Sequence, residues 1–198
     1  MPRFWLVAGP NGAGKSTLVE AGVVAHALGT SLISLNADVR ARQILAEAPD
    51  TPDVSLRAAI ETDAEVVRCI DRRVDFLVET VLSSDKYLDD IEHAMSLGYQ
   101  VGMIYVGLAT PQDAVRRVAL RRAMGGHDVP RDRIVARWAR SIAMLRRIAP
   151  RVHSLYVFDN TATTGPVLIA RKDGQAVTVL APGRIPEIDA ALRGEGEA

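Results

Sequence analysis

The residues from Gly9 to Thr17 read Gly-Pro-Asn-Gly-Ala-Gly-Lys-Ser-Thr, the glycine, four-residue, glycine, lysine, serine spacing of a phosphate-binding loop. The apolar run Phe4 to Ala8 precedes the loop and a helix-competent segment, Leu18 to Leu28, follows it, which is the strand–loop–helix context this chemistry requires. Gly9, Gly12 and Gly14 let the backbone wrap closely around an anion, so that loop N–H groups and the helix N-terminus point at a phosphate. Lys15 adds a positive charge for the β- and γ-phosphates, and the Ser16 hydroxyl is a ligand for Mg²⁺. Gly9, Asn11, Gly12, Ala13, Gly14, Lys15, Ser16 and Thr17 are therefore the candidate contacts to a nucleoside triphosphate.

Further chemistry-bearing residues follow other apolar runs. Asn36-Ala37-Asp38 closes the second run and opens a helix: Asn36 suits a helix cap and Asp38 a favourable charge at the helix dipole, and the Asp38 carboxylate also falls within reach of bound phosphates. Glu79 and Thr80 end the run Phe76 to Thr80. A carboxylate there is costly unless it meets a cation or hydrogen-bond donors, so Glu79 is a candidate for the Mg²⁺ shell or for a substrate hydroxyl. Arginines crowd the next segment: Arg116, Arg117, Arg121 and Arg122, then Gly125-Gly126-His127-Asp128-Val129-Pro130, then Arg133, Arg137 and Arg140. At 100° per residue the last three fall within about 60° of one another, while Ile134, Trp138, Ile142 and Leu145 take another sector. Beside a phosphate loop this pattern suits a helical lid whose arginines neutralise a transferring phosphoryl group; by itself it also suits a solvated basic face. His127 fits a turn residue bracing the lid, and His26, His93 and His153 form no cluster with metal-ligand spacing.

Strands alternating with helices position these groups, and that alternation predicts a parallel sheet covered on both faces. Predicted strands are Phe4–Ala8, Leu32–Leu35, Phe76–Thr80, Gln100–Gly107 and Leu155–Phe158; predicted helices are Lys15–Leu28, Ala37–Glu47, Ser55–Arg73, Asp85–Leu97, Gln112–Met124 and Arg131–Ile148. After Asn160, Val167–Ala170 and Ala176–Leu180 flank an Asp173-Gly174 turn signal, which predicts a terminal antiparallel hairpin. In such a sheet ligands sit beyond the carboxyl ends of the strands, where the candidate residues fall.

Composition sets the remaining bounds. The 198 residues suit one α/β domain, taken as residues 1–192 with a flexible tail from Arg193. Lysine plus arginine and aspartate plus glutamate both number 24, so no global field recruits nucleic acid or membrane. Cys69 is the single cysteine and reads as a packing residue. With no apolar run near the roughly twenty residues that span a bilayer, and an N-terminus that lacks the build of a signal peptide, the expected location is cytoplasmic.

Taken in order, the phosphate loop, Asn36-Ala37-Asp38, Glu79-Thr80-Val81-Leu82-Ser83, Arg121, Gly125 to Pro130, Arg137 to Ser141 and Asp159-Asn160 resemble the zeta-toxin family of bacterial phosphotransferases, over about residues 4 to 160. The resemblance implies a P-loop NTPase fold of the nucleotide-kinase type, a three-layer α/β sandwich with a central, mostly parallel sheet, a helical lid and here a C-terminal hairpin. It implies an ATP- and Mg²⁺-dependent kinase of a small-molecule hydroxyl, the best-known members acting on UDP-N-acetylglucosamine as toxins held by an antitoxin. It makes Lys15 the phosphate-binding lysine, Asp38 the base, Glu79 and Thr80 acceptor contacts with Asn36 beside them, and Arg121 and Arg137 the phosphoryl-stabilising pair, with Arg122 and Arg140 close neighbours. The chain is shorter than the larger sugar-nucleotide kinases, which leaves open a kinase of a sugar acid, an antibiotic or a nucleoside, and a nucleotide-binding switch without phosphoryl transfer. A transporter-type ATPase would carry a Leu-Ser-Gly-Gly-Gln-like signature and an apolar strand ending in Asp-Glu, and neither occurs.

Overall fold

The computed structural model describes residues 1–22, 24, 29, 32–125, 129–174 and 176–195. Seven strands form one sheet: β1 (Arg3–Ala8), β2 (Ile33–Leu35), β3 (Phe76–Thr80), β4 (Gln100–Gly107), β5 (Ser154–Asp159), β6 (Val167–Asp173) and β7 (Ala176–Val179), in the order β2-β3-β1-β4-β5-β6-β7. β1 to β5 pair in parallel and β6 and β7 add antiparallel. Seven helices are described: α1 (Lys15–Glu20), α2 (Ala37–Glu47), α3 (Val54–Asp71), α4 (Tyr87–Ser96), α5 (Pro111–Ala123), α6 (Arg131–Ile148) and α7 (Pro186–Arg193).

Burial explains the layering. β1 buries five consecutive residues and β4 seven, which is possible only when both faces of the sheet are covered by helices. β5 alternates buried and half-buried positions, and β7, at the sheet's edge, alternates half-buried and exposed ones. Phe4 and Phe76 stack at 4.5 Å across the β1–β3 pair, and the Tyr99 hydroxyl donates to the Cys69 carbonyl at 2.8 Å, tying the start of β4 to the end of α3. Cys69 is a buried free thiol. No helix among the described residues is long and apolar enough to cross a membrane.

The element types follow the sequence, while several edges move. Within the described residues α1 covers Lys15–Glu20 and is closed by Ala21 and by Gly22 at φ 70°; positions 23 and 25–28 of the expected longer helix lie outside the described residues, as do His26 and Gly126-His127-Asp128 of the expected lid turn. The hairpin strands run to Asp173 and from Ala176, so the turn at Gly174 is tighter than the five-residue spacer expected. One element was not anticipated: α7. Pro186 at its first turn, Glu187 and Asp189 behind it and Gly194 at its end with φ 75° supply start and stop signals, but the helix is short and packs through Ile188 and Ala191. Arg193, where the tail was placed, is its last residue.

Candidate active site

The phosphate loop is held against the sheet at both ends. Gly9 takes φ 140°, and a Cβ there would lie 2.1 Å from the Val106 carbonyl oxygen of β4, so only glycine lets the loop leave β1 this close to its neighbour. Gly14 takes φ 91°, and a Cβ there would meet the Asn160 amide nitrogen at 2.6 Å. That amide donates to the Ala13 carbonyl at 2.8 Å, so the residue after β5 fixes the far end of the loop. Lys15 folds back across the loop, donating to the Gly9 and Pro10 carbonyls at 2.8 and 3.0 Å. Desolvation pushes its ammonium down to about 8; Glu79 and Asp38 pull it up, and Arg121 adds to the depression.

Register places the carboxylate beside the loop. In the β1–β3 pair Val7 faces Glu79 and Ala8 faces Thr80, so both side chains end where β1 hands over to Gly9. The Ser16 hydroxyl donates to Glu79 Oε2 at 2.7 Å. A hydroxyl and a carboxylate joined this way, next to Lys15, form the oxygen donor set that a hard divalent cation uses together with phosphate oxygens. Thr80 Oγ1 accepts from the Leu82 N–H at 3.0 Å in a turn where Leu82 is left-handed at φ 55° and buried. Asn36 caps α2: its side-chain oxygen accepts from the N–H groups of Asp38 (2.8 Å) and Val39 (3.3 Å), which leaves the Asp38 carboxylate exposed in the first turn.

These pieces converge on one cleft of about 340 Å³. Lys15, Ser16, Asn36, Asp38, Glu79, Thr80, Arg121 and Arg137 all line it, with Asn11 and Gly12 from the loop. Gly9, Ala13, Gly14 and Thr17 build the loop without lining the cleft. The lid arginines are sorted by position: Arg121 and Arg137 are half-buried at the cleft, Arg122 lines a groove between α5 and α6, and Arg133 and Arg140 are exposed elsewhere. Arg117 braces the segment after β5, donating to the Thr161 carbonyl at 3.1 Å, and Arg116 pairs with Asp113 at 2.8 Å.

Other residues of the cleft were not singled out from sequence. Asp63 of α3 and Lys86, just before α4, pair at 2.6 Å, and the Lys86 ammonium lies 4.7 Å from the centre of the Tyr87 ring. Ser84 completes this end beside Ser83, which already stood in the Glu79 to Ser83 block. The rule that strand carboxyl ends carry the site would have pointed to Ser84 to Lys86, which follow β3; Asp63, inside a helix, gave no such signal. Asp159 precedes Asn160 with its carboxylate buried. Burial alone would raise its pKa, but hydrogen bonds from Thr161 and the Arg184 guanidinium hold it below the ordinary value.

Comparison with known proteins agrees with this architecture. The fold is similar to a chain of the AvrRxo1-ORF1:AvrRxo1-ORF2 complex with ATP at a TM-score of 0.70, with 17% identity over 91% of this chain and 61% of that one. It is similar to a chain of the PezAT chromosomal toxin–antitoxin system of Streptococcus pneumoniae at 0.62, with 16% identity over 100% of this chain and 80% of that one. A chain of the Pnkp1/Rnl/Hen1 RNA repair complex follows at 0.57, with 16% identity over 84% and 48%. This chain spans between 61% and 64% of the length of the chains it matches in the AvrRxo1-ORF1:AvrRxo1-ORF2 structures. No curated protein matches it by sequence. The family model described as Zeta toxin matches residues 1–178, from before β1 into β7. With that match covering the phosphate loop, the cleft and the terminal hairpin, the chain belongs to the zeta toxin family.

Proposed function

We propose that the protein is a Mg²⁺- and ATP-dependent phosphotransferase that moves the γ-phosphoryl of ATP to a hydroxyl of a small acceptor, a UDP-activated amino sugar such as UDP-N-acetylglucosamine, and that it acts as a toxin held by an antitoxin. The observation that carries this reading is that three cations, Lys15, Arg121 and Arg137, line the same cleft as a base candidate, Asp38, beside the phosphate loop. Phosphoryl transfer asks for little covalent help from a protein beyond positioning and fixed charge of this kind.

In the mechanism that follows, the acceptor hydroxyl sits against Asp38, with Asn36, Glu79 and Thr80 around it. Its oxygen attacks the γ-phosphorus, the bond from that phosphorus to the β–γ bridging oxygen breaks, ADP leaves, and the hydroxyl proton passes to the Asp38 carboxylate. Lys15 holds the β- and γ-phosphates while Arg121 and Arg137 stabilise charge on the transferring group. Ser16 and Glu79 would hold Mg²⁺, which supplies neutralising charge at the phosphate oxygens when bound.

The acceptor end also bears on the substrate. Asp38, Asp63 and Glu79 meet there with Lys86 as the one nearby cation among the described lining residues outside the phosphate-facing set, and Lys86 is already paired with Asp63. Carboxylates at this end accept hydrogen bonds from the hydroxyls of a sugar, which supports a sugar acceptor. The antitoxin proposal is supported by family membership and by the likeness to PezAT, described as a toxin–antitoxin system.

The test is mass spectrometry of reactions with Mg-ATP and a panel of UDP-sugars, sugar acids and nucleosides, with Lys15→Ala and Asp38→Asn beside the unaltered protein. A gain of one phosphoryl on a UDP-sugar, absent from both variants, is the expected result. Phosphorylation confined to another acceptor class would overturn the substrate, and ATP binding without turnover on any acceptor would overturn the kinase reading.

A further inference from the structure

The proposed transfer needs Arg137 at a fixed point in the cleft that Lys15 also lines, and α6 carries it there. α6 buries Ile134, Ile142 and Leu145 in the core cluster that also holds the β4 residues. Apolar packing is non-directional and tolerates a small roll or slide of a helix, whereas a hydrogen bond fixes distance and direction. Among the described residues, two hydrogen bonds join this helix to β4 and to the residue after it. The Tyr105 hydroxyl and Ser141 Oγ lie 3.0 Å apart, both residues fully buried. The Trp138 indole N–H donates to the Leu108 carbonyl at 3.0 Å.

Their positions tie Arg137 to the phosphate loop. At 100° per residue Ser141 lies about 40° around the helix from Arg137, so Arg137 stands at the rim of the buried face, next to the bond that anchors it. Tyr105 faces Ala8 in the β4–β1 register, and Ala8 is the residue that hands over to Gly9. Leu108 follows β4 directly, two residues beyond the Val106 carbonyl against which Gly9 is pressed. The path from guanidinium to loop therefore runs through one helical turn, two buried hydrogen bonds and one pair of strands.

We propose that Trp138 and Ser141 are positioning residues: their hydrogen bonds to Leu108 and Tyr105 index α6 against β4, and through β4 against the phosphate loop, so that Arg137 meets the γ-phosphoryl group. The proposal rests on the phosphoryl-binding role of Arg137 given above, and its test separates the two. The probes are the non-hydrolysable ATP analogue AMP-PNP and ADP, each with Mg²⁺, whose affinities are measured by calorimetry. The ratio of the two isolates what the γ-phosphoryl group contributes, and needs no acceptor.

Arg137→Ala is expected to cut that ratio about tenfold, as for loss of one charge-assisted hydrogen bond to phosphate. Trp138→Phe, Ser141→Ala and Tyr105→Phe, which keep the core filled, are each expected to cut it about three- to tenfold with ADP affinity unchanged. Ser141→Ala and Tyr105→Phe remove the same bond and should not add. Combined with Arg137→Ala, none should lower the ratio further, because each acts through that guanidinium. The proposal is overturned if Trp138→Phe and Ser141→Ala leave the ratio intact, or if they lower it equally in the Arg137→Ala background. An unchanged ratio in Arg137→Ala alone, with ADP still bound, removes the role of Arg137 and the positioning proposal with it, leaving the loop reading untouched.

Discussion

Lys15 is the residue whose charge the site governs most directly. Its ammonium is brought down to about 8 by desolvation, from an ordinary value of 10.5, although Glu79 and Asp38 oppose the shift. A triphosphate favours the charged form, so binding raises this pKa and takes up protons. The sign follows: the charged fraction of the empty protein falls as pH rises through about 8, and affinity for ATP should fall with it. Calorimetry of Mg-ATP binding at pH 8 in buffers of different ionisation heat should therefore report uptake of a fraction of a proton; no uptake would mean that Lys15 is already fully charged. Asp38 is tested differently. Because Asn36 supplies the cap of α2, Asp38→Asn should keep the helix and leave ATP affinity within about twofold, while turnover falls by about 10²- to 10⁴-fold through loss of the base. Equal losses of binding and turnover would move Asp38 from the chemistry to the support of the loop. Lys15 and Asp38 were legible from the sequence because each follows a strand at a fixed spacing; Asp63, seated in the third turn of α3, becomes a cleft residue only once α3 is packed.

At the scale of elements, the strands that form the sheet's centre were readable because burial on both faces demands unbroken apolar runs, as in β1 and β4. α7 was not, for the opposite reason. It is eight residues long, too short to be stable alone, and it forms because Ile185 and Ile188 lie against Gly107, where any side chain would meet the Ile188 methyl at 2.5 Å. The same distinction holds at the site. The loop's glycines announce themselves, yet what keeps the loop in shape is Asn160, 147 residues away from the Ala13 carbonyl it holds. Asn160→Ala should leave that carbonyl without its partner, cost about 1–3 kcal/mol of local stability and weaken ATP binding about tenfold, with the remainder of the fold intact. Thermal denaturation with and without ATP measures both parts. A variant that binds ATP as well as the parent would show that the loop keeps its shape without the β5 segment.

Across the whole molecule, the C-terminal segment completes a structure that the parallel strands leave open. β6 and β7 extend the sheet beyond β5, α7 covers α6, Arg184 pairs with the buried Asp159 at 2.9 Å, and the Gly183 N–H donates to Asp189 at 2.6 Å. The sequence marked the hairpin by its Asp-Gly turn but offered no purpose for it, since the purpose lies in a long-range contact. Lys172, on β6, is 4% exposed, and its ammonium donates to the carbonyls of Ala149 (3.1 Å), Pro150 (2.9 Å) and Val152 (2.7 Å). Those carbonyls belong to the end of α6 and the turn after it, groups that a helix leaves without partners and that the helix dipole makes negative. A surface lysine in their place would contribute little; here one buried cation satisfies three acceptors and joins the hairpin to the helix that carries Arg137. Lys172→Met preserves the stem's packing and removes the donors, so three carbonyls, those of Ala149 and Val152 buried, lose their partner at a cost of about 2–4 kcal/mol. Urea denaturation should show a lower midpoint with an unchanged slope, the signature of a less stable but equally compact native state. Should the midpoint stay where it is, β6 and β7 are docked on a core that stands without them, and the stability of α6 must come from its apolar face and its bonds to Tyr105 and Leu108.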